Sequence, residues 1–98
     1  MNHQEMFDLL VSKRGNRCEQ CYWNVPTEMH HCIVRRSKKH PEFDVEQNLM
    51  LVCRACHSDG YVDSYECAVG FWGRQVERGY DMDTWYRSLN LKSKEFFK

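Results

Sequence analysis

The residues able to do chemistry fall into two sets. Cys18 and Cys21 form one C-x-x-C unit, and Cys53 and Cys56 form another. Between them runs EMHHCIVRR, residues 28–36, in which His30 and His31 are adjacent and Arg35 and Arg36 follow. Paired C-x-x-C units are the usual shape of a four-thiolate zinc site. The rival reading, a redox pair, needs a βαβ setting that nothing in this sequence resembles. An imidazole titrates near neutral pH, so it can ligate a divalent cation or take a proton from water. Two adjacent histidines do not choose between these roles. Successive strand residues point to opposite faces, so from a regular strand both could not ligate one ion.

The elements that must carry these residues can be read from spacing. Met6, Leu9, Leu10 and Lys13 are spaced as a short helix over Glu5 to Lys13 would place them, and Gly15 is set to end it. Met29 to Val34 reads as a strand, SKKHPEFDVEQ as a polar loop, and Leu49 to Val52 as a second strand. Asp63 or Ser64 can cap a helix running to about Arg78, with Tyr65, Val69, Trp72 and Val76 on one face and Gly79 past its end. Gly70 and Gly73 weaken that helix by about 1 kcal/mol each against alanine. A last short helix is expected over Asp83 to Leu89, with its aromatic residues in the core. Thirty-one residues separate Cys21 from Cys53, so a metal here would clip the ends of a whole strand, loop and strand unit.

Ninety-eight residues make one domain whose core is small enough to need a staple. The net charge is zero with histidines neutral, which argues against an overall electrostatic grip on nucleic acid. Distribution matters more than the sum, and Arg35, Arg36, Lys38 and Lys39 crowd into five positions. The amino-terminal stretch has no secretory signal pattern and no apolar run is long enough to span a membrane, so an intracellular, cytoplasmic protein with reduced thiols is expected. Cys32 and Cys67 lack a partner at ligand spacing and read as small buried apolar residues. His3 and His40, which no motif contains, read as solvated or core side chains.

The succession Cys18-x-x-Cys21, HHCIVR at 30–35 and NLMLVCRACH at 48–57 resembles the HNH nucleases of the ββα-metal type, in the branch that carries a four-cysteine zinc. The likeness covers about residues 18–57. It implies an α+β fold: a small zinc-stapled ββα-metal (His-Me finger) core with flanking helices. The whole of 1–98 would then be a single nuclease domain, with a helical extension over 63–98. It also implies a metal-dependent DNA endonuclease. His30 and His57 would hold the catalytic cation, His31 would be the general base, and Asn48 would orient it by contacting it or by pinning the loop over it. Arg35 would grip a phosphate. Cys18, Cys21, Cys53 and Cys56 would hold structural Zn2+.

Two departures from the family's pattern stand out. Val34 precedes Arg35 where many relatives have proline, and Tyr61 stands where many have another histidine. With only two imidazole ligands, Mg2+ or Mn2+ at working concentration is expected as the catalytic ion. Small stand-alone members of the family occur in bacteria and phages. The rival function is a catalytically silent zinc-stabilised nucleic-acid-binding module. A protein partner or homodimer could be served by the aromatic carboxy-terminal half.

Overall fold

The structure, a computed structural model, describes residues 1–89; the part of the expected extension over 90–98 lies outside the described residues. The architecture is α+β. Helix α1 spans His3–Arg14, strand β1 Glu28–His31, strand β2 Leu49–Val52, and helices α2, α3 and α4 span Arg54–Asp59, Tyr65–Glu77 and Met82–Ser88. Short 3-10 turns occupy Pro41–Phe43 and Tyr61–Asp63. No described helix is long and apolar enough to cross a membrane.

Asn2 and Glu5 start α1 with a reciprocal capping box, and Gly15, at φ 97°, stops it. The two strands pair antiparallel, with His30 opposite Met50 and His31 opposite Leu49. Strand alternation then divides the core in two. Leu49 and Leu51 pack with Leu10 under α1, whereas Met50 and Val52 join Phe43, Val62, Phe71 and Met82 on the other face.

β2 coincides with the expected strand, but β1 ends at His31 rather than at Val34. The cause is Asn48. Its side-chain oxygen accepts the amides of both Ile33 and Val34 at 2.9 Å, so these amides are not donated along β2 and the ladder with it stops.

Helix α3 starts after Ser64, whose hydroxyl takes the Cys67 amide, and ends before Gly79, at φ 100°. Its inward face differs from the expected one. Cys67, Ala68, Phe71 and Gln75 are buried, while Tyr65, Val69 and Val76 are each more than half exposed. Gln75 is buried because its amide donates to the Glu46 carbonyl at 2.8 Å and its oxygen accepts from Arg78 at 2.7 Å. Trp72 alone of the expected face packs inward, edge-on to Tyr86. Cys32 and Cys67 are buried, as expected.

A buried carboxylate ties the first knuckle to the rest. Glu19, 3% exposed, accepts from Arg14 at 3.0 Å, from Arg78 at 2.6 Å and from the Leu51 amide at 2.7 Å. One side chain thereby joins α1, β2 and the end of α3 to the C-E-Q-C turn.

Candidate functional site

The four cysteines at 18, 21, 53 and 56 converge. Their sulfurs all lie within 4.8 Å of one another, a cluster that can hold a metal ion such as zinc. The local backbone is built for thiolates. Cys18 Sγ faces the amides of Gln20 and Cys21 at 3.4 and 3.5 Å, and Cys53 Sγ accepts from the Cys56 amide and from Asn24 Nδ2, both at 3.5 Å. Those last two donors hold the Cys53 thiol down to about 6. Backbone donors at Asn24 and Trp23 likewise lower Cys21, whereas burial pushes Cys56 up. A cation among the sulfurs would oppose that rise.

The histidines lie at a second centre. His30, 4% exposed, directs Nε2 to the Val62 carbonyl at 2.8 Å. His57, on α2, directs Nδ1 to Glu28 Oε1 at 2.7 Å. Carbonyl and carboxylate oxygens only accept, so these nitrogens carry the protons, and the lone pairs sit on His30 Nδ1 and His57 Nε2. The two rings stand edge to face with centroids 5.1 Å apart. Imidazoles that ligate metals are usually held in this way, by an oxygen at the far nitrogen. Asp63 adds a carboxylate, its Oδ1 3.7 Å from His30 Nε2. Ser64 supplies the cap of α3, and Asp63 lines the cavity beside His30 instead.

His31 faces the other side of the sheet. Its Nε2 lies 2.6 Å from Asp44 Oδ1, at the end of the Pro41–Phe43 turn. Asn48 is fully buried behind the loop. Besides the Ile33 and Val34 amides, it holds the Val34 and Phe43 carbonyls, each at 2.9 Å through Nδ2. Of the two expected modes for Asn48, the geometry is that of pinning the loop, and the pinned loop carries Asp44.

Both histidine faces open onto one cavity of about 700 Å³, lined by His30, His31, Arg35, Asp44, His57 and Asp63 among others. Because residues 30 and 31 point to opposite faces, this cavity must reach both sides of β1. Arg35 and Arg36 are exposed and line it; Lys38 and Lys39, from the same basic run, do not. His3 is exposed, as expected of a solvated histidine, and it also lines the cavity. His40 lies outside it, bonded to Glu42 at 2.7 Å and stacked on Phe43.

The sequence reading missed Glu28, Asp44 and Asp63. Each is a single carboxylate in a polar stretch, and each meets its histidine only through the fold. Comparison of the chain with protein-family models, with curated proteins and with solved structures returns no match.

Proposed function

We propose that this chain is a metal-dependent DNA endonuclease of the HNH, ββα-metal type, stapled by zinc at its four clustered cysteines. The observation that carries the reading is that His30 and His31, on opposite faces of β1, line a single cavity together with His57 and Arg35. A cation ligand and a proton acceptor can then approach one phosphate from two sides. A solvated or purely structural histidine pair would have no reason to share a cavity with a third imidazole and two guanidinium groups.

The residues fit a divalent cation, since His30 and His57 each have one ring nitrogen held by an oxygen, which leaves the other to face an ion. Bound there, Mg2+ or Mn2+ would supply charge neutralisation at the phosphate and at the leaving 3′ oxygen. Two imidazoles suit an ion held with several waters.

His31 acts as the general base. Asp44 accepts its Nε2–H, which keeps the lone pair on Nδ1 and stabilises the imidazolium formed when the ring takes a proton from water. The oxygen of that water bonds to phosphorus as the bond from phosphorus to the 3′ oxygen breaks, and solvent protonates the leaving oxygen. Arg35 and Arg36 hold phosphate oxygens in place, where the guanidinium fork matches two acceptors. Asn48 acts at one remove by fixing the loop that carries Asp44.

The test is nicking of supercoiled plasmid by purified protein with added manganese or magnesium, beside His31→Ala. Nicking that requires the metal and His31 is the expected result. DNA binding without nicking in either metal would instead identify a silent zinc-stabilised binding module.

A further inference from the structure

Beside its charged groups the cavity has an apolar wall. Met29 shares the α1 face of the sheet with His31 by strand alternation, Leu49 is the cross-strand partner of His31, and Met6 comes from α1. All three line the same cavity as His31. Leu49 is buried, but Met6 and Met29 are only half-buried, packing on the Leu10, Leu49 and Leu51 cluster while part of each side chain lines the cavity.

Volume and depth bear on what this wall is for. At about 700 Å³ the cavity falls among sites of about 300–1,000 Å³ that enclose a whole small molecule, well beyond what one phosphate needs. The reacting groups are recessed, with the side chains of His30 and His31 5% and 15% exposed. A phosphate reaches them most readily if its own nucleotide follows it in. Bases in an intact duplex are stacked and paired away from such a pocket, whereas an unpaired nucleotide can turn its base outward. Thioethers make favourable contacts with flat aromatic rings, and Arg35 and Arg36 on the same cavity complement the flanking phosphates.

Resting on the nuclease reading above, we infer that Met6, Met29 and Leu49 form a nucleobase subsite beside His31, so that the preferred DNA carries an unpaired nucleotide at the scissile phosphate.

The experiment is fluorescence anisotropy on the whole chain, without added divalent metal, using labelled DNAs of one sequence. These are a single strand, a blunt duplex, a duplex with one bulged nucleotide, and the same bulge made abasic. The single strand and the base-bearing bulge should bind about 10-fold more tightly than the duplex, the worth of one base stacked on a protein surface, and the abasic bulge should return to the duplex value. Met6→Gln should erase the difference between base-bearing and abasic bulges. Equal wild-type affinity for the two bulges overturns the subsite, and that comparison needs no variant to fold. Cleavage of the same DNAs with manganese reports separately on the nuclease reading. Base discrimination without cleavage keeps the subsite and rejects the nuclease; cleavage without base discrimination does the reverse.

Discussion

Asp44 Oδ1 lies 2.6 Å from His31 Nε2, joining the last residue of β1 to the residue that closes the Pro41–Phe43 turn. The carboxylate is more than half exposed, so the pair is a local arrangement on the cavity wall and not a buried structural bridge. Removing it should change chemistry more than folding. Asp44→Ala should leave the free energy of unfolding within about 0.5 kcal/mol of wild type, as surface substitutions do. It should lower nicking by roughly 10-fold, part of the about 10²- to 10⁴-fold that acid–base catalysis contributes. Asp44→Glu should recover some of that loss. Unchanged nicking in Asp44→Ala would remove Asp44 from the site.

Asn48 should behave oppositely, losing stability and activity together. Its buried side chain satisfies the Ile33 and Val34 amides and the Val34 and Phe43 carbonyls. Asn48→Ala strands these groups at about 1–3 kcal/mol for each that stays dry, so a loss of several kcal/mol is expected in a denaturant titration. A variant as stable as wild type would contradict the loop-pinning role.

Zinc retention should depend on pH with a definite sign. Donors from Cys56 and Asn24 depress the Cys53 thiol to about 6 in the fold, while an unfolded cysteine titrates near about 8.5. The stability this thiolate confers is complete above the unfolded value and is lost as pH falls through the folded one. Zinc should stay bound at neutral pH and be released on acidification, with unfolding, as followed by a zinc-sensitive dye and circular dichroism. Cys21→Ser should release it more readily. Folded protein whose four thiols alkylate freely at neutral pH would contradict the site.

The basic run should divide at Ser37. Arg35 and Arg36 line the cavity and Lys38 and Lys39 do not. Arg35→Ala should lower the slope of log affinity for DNA against log salt by about 1, the amount of one lost phosphate contact. Lys38→Ala should change the slope less. Equal effects would mean that the whole loop, and not the cavity, meets the DNA.

Much of the frame was legible in the sequence because it depends on local rules. The apolar block Leu49–Val52, the caps at Ser64 and Gly79 and the convergence of the two C-x-x-C units follow from spacing. The inward face of α3 was not legible. Gln75 looks like a surface residue until Glu46 and Arg78 are beside it, and the exposed Tyr65, Val69 and Val76 follow the same helical period as a buried stripe. The carboxylates of the candidate site were hidden for a related reason. Glu28 meets His57 across 29 positions and Asp44 meets His31 across 13, and nothing local marks either pairing.

The central claim is the division of labour between two adjacent histidines, and a manganese titration of plasmid nicking by His30→Ala, His31→Ala and His57→Ala in parallel tests it most directly. Melting temperature and zinc content, measured on the same preparations, identify any variant that has lost its fold. His30→Ala and His57→Ala should need more manganese and recover part of their activity as it is raised, because what they lose is affinity for the ion. His31→Ala should fall by about 10²- to 10⁴-fold and stay there at every manganese concentration, because no amount of metal restores the proton acceptor. Nicking by His31→Ala at the wild-type rate, or its full recovery with manganese, would contradict the account.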